Sequence, residues 1–254
     1  MVSENEKTHA WYQHGVGVRL FDAEKAEMDD ILPRLYGYHL VFLGDPGLSS
    51  MILPSLISHR ILINEKANAH TANISGLRGD IAALPLRTDS VDVVVLAHVL
   101  EHVANPHEVL RETHRVLIPE GHVLITGFNP FSMWGLWHAI QKWVKTVPVQ
   151  GKMLSPNRVK DWLKLLNFQI VGGRMFYFKP PLDHEGINQK LSILEKWGEK
   201  WWPFFGGAYS ILAVKRVAPL TPVRAKYRKE KKIWDTAALP KPTTTTTAEN
   251  TPHE

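Results

Sequence analysis

An α/β fold with a mostly parallel sheet is predicted by three observations. Apolar runs of strand length recur along the chain, and amphipathic stretches of helix length separate them. The clearest run, "VDVVVLA" from Val91 to Ala97, is almost continuously apolar, as a strand buried on both faces must be.

The elements follow in order. Between Phe21 and Leu35, Ala23, Met28, Ile31, Leu32 and Leu35 alternate with Asp22, Glu24, Glu27, Asp29 and Asp30, which predicts a helix with one buried stripe that stops between Pro33 and Gly37. "YHLVFLG" is a short buried strand, and "HRILINE" a second. "SSMILPSLI" between them has helical spacing, but Pro54 must shorten any helix there. After "VDVVVLA", "NPHEVLRETHRVL" predicts a helix with Asn105 as cap, Pro106 in first place and Glu108 completing a capping box. "PEGHVLITGF" gives a turn and a strand. "SPNRVKDWLKLLN" repeats the helix signature with Ser155 as cap, Pro156 first, and Asn167 suited to the left-handed residue that ends a helix. "FQIVGGRMFYF" and "YSILAVKRV" are two later strands.

Two Trp-rich stretches interrupt this alternation. One carries Trp134, Trp137 and Trp143, the other Trp197, Trp201 and Trp202. They serve as packing against the sheet, as a substrate lid, or as a contact with a membrane surface. The implied organisation is a helical lead-in over 1–36, a main domain over 37–218 with insertions at 129–152 and 180–207, a basic segment over 219–236, and a Thr- and Pro-rich tail over 237–254 expected to be disordered.

Composition narrows the function classes. Apolar residues at 44% and charged residues at 22% are globular values. The absence of cysteine excludes a disulfide scaffold, thiolate-ligated metal and a cysteine nucleophile, and fits a cytoplasmic protein. No run reaches the length of a membrane helix, and Glu4, Glu6 and Lys7 stand where a signal peptide would be apolar. The net charge of +5 comes from the block "KRVAPLTPVRAKYRKEKKIWD". Tyr227 and Trp234 could stack on bases, but a solvated basic segment, or one touching anionic lipid, needs fewer assumptions, and nucleic acid is not the expected partner.

The middle of the chain resembles the class I S-adenosylmethionine-dependent methyltransferases, in particular the methyltransferase type 11-like group that includes quinone-biosynthesis enzymes. The resemblance rests on "GDIAALPLRTDSVDVVVLAHVLEHVANPHEVLRETHRVLIPEGHVLI", Gly79 to Ile125: an acid, a Leu-Pro step, a strand opened by an Asp, a helix, and the turn of Arg115, Val116, Leu117 and Pro119. At that turn Glu120 replaces the first glycine of the usual pair and Gly121 keeps the second. The resemblance extends over residues 38–178. It implies a single Rossmann-like domain whose seven-stranded sheet has helices on both faces, with "YSILAVKRV" inserted antiparallel, and S-adenosylmethionine as cofactor.

Carried over position by position, the resemblance implies a cofactor site of Gly44, Asp45, Gly47, Glu65, Asp80, Ile81 and Ala97. Gly44 matches the first glycine of a loop, "GDPGLSS", that is otherwise degenerate: Phe42 stands at the usual anchoring acid and Pro46 at the next glycine. Glu65 matches the acid that receives the ribose hydroxyls, with Asn64 the rival assignment. Asp80 matches the partner of the adenine amino group, and Ala97 and His98 the position below the cofactor. Gly44, Glu65, Asp80 and His98 also follow successive strand ends, which is where an open α/β sheet binds ligands. A dinucleotide would need G-x-G-x-x-G backbone donors, which "GDPGLSS" lacks. Amides of Gly47 and Leu48 and hydroxyls of Ser49 and Ser50 are the candidates to meet the cofactor's carboxylate.

His98 is the candidate general base, against the simpler reading of a neutral imidazole that caps a strand end. Glu101 and His102 support the loop. His98, Glu101, His102 and His107 crowd together, but not in the H-E-x-x-H pattern, and no metal is expected. The acceptor is expected to be small or lipid-like, beside Phe131, Trp134 and Trp137. The alternative is a catalytically silent member with an interaction or regulatory role.

Overall fold

The structure is a computed structural model and describes residue 12 and residues 15–65, 73–135, 151–178 and 205–217. These belong to the unit Met1–Ala218. The basic segment, the tail, most of both Trp-rich insertions, and with them Trp137, Trp143, Trp197, Trp201 and Trp202, lie outside the described residues.

The chain enters through helix α1 (Val16–Ile31) and a 3-10 turn (Leu32–Arg34), then β1 (His39–Leu43) and a second 3-10 segment (Pro46–Ile52). It continues through β2 (His59–Asn64), β3 (Ser75–Arg78), β4 (Val91–Ala97), the single turn α2 (Val99–His102), α3 (Pro106–Val116), β5 (Leu117–Phe128), α4 (Pro156–Leu165), β6 (Phe168–Phe176) and β7 (Ala208–Lys215). They form one seven-stranded sheet in the order β3-β2-β1-β4-β5-β7-β6. β1 to β5 pair in parallel, and β7 runs antiparallel to both β5 and β6. This is the expected Rossmann-like architecture, with the final strand inserted as the resemblance implies.

β4 shows why the sheet sits where it does. Val93 and Val95 face one core, shared with Leu20, Met28 and Leu32 from the α1 side. Val94 and Leu96 face the other, shared with Val109, Leu110 and Val116 of α3 and Val159 and Leu163 of α4. Each fully buried branched side chain contributes about 1.5 to 3 kcal/mol. Asp92, the one acid in this strand, stays at the start of the sheet and accepts from the amides of Tyr38 and His39, both at 2.9 Å.

The motif residues of the resemblance have structural work to do. Arg115 donates to the carbonyls of Leu84 at 2.9 Å and Leu86 at 2.8 Å, while Glu112 accepts from the Leu84 amide at 2.9 Å. The Arg-Val-Leu step thus grips the Leu-Pro step across the loop that leads into β4. Glu120, at the missing glycine, has φ of 64°, the left-handed conformation that glycine adopts without strain. Its neighbour Gly121 is held by close approach: an added Cβ would lie 2.8 Å from the Ile118 carbonyl oxygen.

Two local expectations are corrected and two hold. α1 begins at Val16, earlier than Phe21, because Leu20 already belongs to its buried stripe. Asn105 occupies the cap position of α3, but its side chain accepts no helix amide; Nδ2 instead donates to Glu108 at 2.8 Å, so the capping box is not formed. Ser155 does cap α4, accepting from the Arg158 amide at 3.4 Å, and Asn167 is left-handed with φ of 60°. No described helix is long and apolar enough to cross a membrane.

Candidate functional site

The parallel register of β1 to β4 brings the strand ends together in one row. Leu43, the last residue of β1, pairs with Ile63 of β2 and Leu96 of β4, and Asn64 pairs with Arg78 of β3. Gly44, Glu65, Asp80 and Ala97 follow these ends and so line one edge of the sheet.

At Gly44 the backbone turns sharply, with φ of 152°, and an added Cβ would lie 2.9 Å from the Ala97 carbonyl oxygen. Only glycine allows the loop to cross β4 this closely. Asn64 Nδ2 donates to the Gly44 carbonyl at 2.7 Å in the buried interior, so this amide fastens the loop. Glu65, next in sequence, is exposed. Asp80 is exposed too, and its Oδ1 accepts from the Ala82 amide at 2.8 Å, which fixes the carboxylate in a tight turn. Ile81 is partly buried beside it, and Ala97 is buried.

The remainder of the loop differs from expectation. Asp45 Oδ1 accepts from the Gly47 amide at 2.7 Å, and the Leu48 amide donates to the Asp45 carbonyl at 3.0 Å. Asp45 therefore caps the 3-10 segment Pro46–Ile52, and both amides are engaged within the turn. They are not available to meet a ligand carboxylate in this conformation. Ser49 is buried beneath the segment, and Phe42 fills the first core where an acid would otherwise stand.

His98 ends β4 in a left-handed conformation, φ 54° and ψ 20°, with its amide donating to the Thr126 carbonyl at 3.2 Å. Its side chain is buried between two acids. Nε2 lies 2.6 Å from Glu24 Oε1 of α1, and Nδ1 lies 3.1 Å from Glu101 Oε2 of α2. A neutral imidazole has one N–H, so one of these contacts would then set a nitrogen lone pair against a carboxylate. Two carboxylates are matched only by an imidazolium. Burial alone would lower the imidazole pKa; the charges of Glu24 and then Glu101, with hydrogen bonds to both, outweigh it and raise the pKa to about 10. His98 therefore holds its proton at neutral pH, unlike the neutral cap and the general base considered from sequence.

Glu101 is fixed in turn. Its Oε1 accepts from the Phe128 amide, and Gly127 leaves room for this carboxylate and the Tyr209 hydroxyl, since an added Cβ would lie 3.1 Å and 2.7 Å from them. Burial first, and then the Glu101 charge, raises the Tyr209 pKa, so that phenol stays protonated. Burial, followed by the charges of Glu24, Glu101 and Asp45, does the same for Tyr12.

An aromatic row runs away from His98. Its ring centroid lies 4.4 Å from that of Phe128, which stacks on Trp134 at 6.1 Å, and Trp134 meets Tyr177 edge-on at 5.6 Å. Tyr12 adds a tilted ring 6.4 Å from His98. Phe131, expected on the acceptor side, is 70% exposed, whereas Trp134 is buried in the row. Among the described residues no group of three or more His, Asp or Glu side chains could hold a metal.

The sequence reading missed Glu24. It stands among the acids of an amphipathic helix, with Asp22, Glu27, Asp29 and Asp30, and no role is assigned to it. The available signal is its spacing: Leu20, Glu24, Glu27 and Met28 share one helical stripe, which packs inward.

Residues 52–125 match the methyltransferase domain family. The uncharacterized protein YafS of Escherichia coli (strain K12) is 32% identical over 209 residues, spanning 82% of this chain and 81% of YafS. The mouse mitochondrial 2-methoxy-6-polyprenyl-1,4-benzoquinol methylase is 39% identical over 60 residues, 24% of this chain and 18% of its own. A solved methyltransferase from Thermotoga maritima, described as S-adenosylmethionine-dependent and a possible histamine N-methyltransferase, superposes with a TM-score of 0.61 over 82% of this chain and 93% of its own, at 16% identity.

Proposed function

The chain belongs to the class I S-adenosylmethionine-dependent methyltransferases, with YafS a relative along most of its length, and from that premise we propose that its acceptor is a small or lipid-like molecule held against the aromatic row beside His98. S-adenosylmethionine is the cofactor, and when bound it supplies an electrophilic methyl group.

The residues at the strand ends fit this cofactor. Glu65 would receive the ribose hydroxyls and Asp80 the adenine amino group, because both carboxylates are exposed at the row of strand ends. Gly44 would let the backbone approach, with Ile81 and Ala97 as apolar contacts. Asp45 and Gly47 would shape the turn rather than bind, since they satisfy each other. With Phe42 in place of the usual acid, the grip falls on the nucleoside half. The mouse relative is named for a polyprenyl benzoquinol, an aromatic ring with a lipid tail, and a row of flat side chains suits an acceptor of that kind.

His98 would act through its charge and its hold on Glu24 and Glu101. Methyl transfer depends mainly on alignment and exclusion of water, and a wall fixed by two buried ionic contacts supplies both.

The observation that carries this reading is the convergence of Gly44, Glu65 and Asp80 on one edge of the sheet next to the aromatic row. Calorimetric titration with S-adenosylmethionine and S-adenosylhomocysteine, followed by transfer of a labelled methyl to aromatic and prenylated acceptors, tests it. Micromolar binding of the cofactor and labelled product from an aromatic acceptor are expected, micromolar affinity corresponding to roughly 8 kcal/mol. Tight binding without turnover across the panel would instead favour a silent module.

A further inference from the structure

The polar groups beneath α1 are not all matched. α1 packs on the sheet face that carries Val95, Leu124 and Phe128, and into this apolar layer it brings Glu24 and Glu27. Glu27 is answered by Ser210 Oγ at 2.7 Å and by Arg174 at 3.7 Å. Glu24 is answered on one oxygen: Oε1 takes His98, while Oε2 is buried with no hydrogen-bond partner. Thr126 Oγ1 is a second buried oxygen without a partner. It lies on β5 directly across from Ser210, and its own carbonyl holds the His98 amide.

A buried acceptor without a donor is destabilising, and native folds rarely keep one without a use. Here the deficit is placed at the carboxyl end of β4, where an open α/β sheet binds its ligands. The geometry agrees: His98 gives one ring nitrogen to each acid, so neither is left over for Glu24 Oε2 in this buried, aromatic setting. A neutral group with no hydrogen to give leaves that oxygen unsatisfied; an O–H or N–H completes it.

Resting on the methyltransferase reading above, we propose that Glu24 Oε2 receives a hydrogen bond from the methyl acceptor, which therefore presents an O–H or N–H group at this point. Glu24 is then the residue that selects protic acceptors over ethers and fully substituted amines. The selection works by the penalty on the wrong partner, since an acceptor lacking the hydrogen would bury a carboxylate oxygen against a lone pair.

The test uses the full chain labelled with ¹⁵N-histidine, with and without saturating S-adenosylhomocysteine. The His98 ring signals are identified by their loss in His98→Gln. Four probes of similar shape are titrated: phenol, aniline, anisole and N,N-dimethylaniline. Phenol or aniline should move the His98 signals while the two blocked probes leave them in place, and the stronger of the two tells a hydroxyl from an amine acceptor. Glu24→Gln should weaken the active probe by about tenfold or more, with S-adenosylhomocysteine affinity held within about threefold. Equal response to all four probes, no response to any, or unchanged probe affinity in Glu24→Gln overturns the proposal. The four-probe comparison on the unaltered protein decides even if Glu24→Gln does not fold. Failure of S-adenosylhomocysteine to bind would strike the methyltransferase reading instead, and the His98 signals would still answer for Glu24.

Discussion

His98 keeps both ring protons, one directed at Glu24 and one at Glu101, so removing a proton should loosen the junction of α1 with β4. The folded pKa of about 10 lies above the ordinary value of 6.5, so this contribution is complete below pH 6.5 and is lost as pH rises through 10. The loss by pH 10 should be roughly 4 kcal/mol. Denaturant midpoints of the unaltered protein and His98→Gln, measured across that interval, should converge as pH rises. On the cofactor side, Glu65→Ala and Asp80→Ala should each weaken S-adenosylmethionine by about tenfold to a hundredfold, and Ser49→Ala by less, as calorimetry would read. What was legible in the sequence is the placement at strand ends of Gly44, Asp80, Ala97 and His98, because the fold class says where to look. The protonation of His98 was not legible, because it depends on an acid 74 residues away whose burial only the packing of α1 reveals.

β4 was legible to its last residue because a strand buried on both faces cannot tolerate polar interruption, and "VDVVVLA" has only Asp92, at the sheet's rim. Helix termini were less so. "NP" at Asn105 and "SP" at Ser155 read alike, yet only the serine caps, since the asparagine side chain turns to Glu108. Ser155→Ala should therefore cost about 1 kcal/mol, and Asn105→Ala less than about 0.5 kcal/mol, in chemical unfolding. Glu120 makes an opposite case. Its left-handed backbone favours glycine, and its ion pair with Arg216 is exposed and contributes little. Glu120→Gly should raise stability by about 0.5 to 1 kcal/mol, measured as a higher denaturant midpoint at unchanged slope.

At the scale of the molecule, the sheet order puts β1 and β4 side by side although β2 and β3 lie between them in sequence, and this crossover creates the edge where the strand ends meet. The alternation of apolar runs made the sheet predictable, whereas the Trp-rich insertions carry no period that fixes their role. Residues 237–254 have no apolar stripe, and their deletion should leave the thermal midpoint within about 2 °C, far less than the shift from losing a packed element. Two contacts bear on how the chain comes together in time. Ser210 meets Glu27 across 183 residues, and His98 meets Glu24 across 74, so α1 is synthesised well before the strands that carry the partners of its buried acids. Docking α1 before those strands are in place would bury two acids without their partners, so its docking is expected to be a late step. Stopped-flow measurements on Glu27→Ala should show unfolding accelerated and refolding little changed, the mark of a contact formed after the rate-limiting barrier.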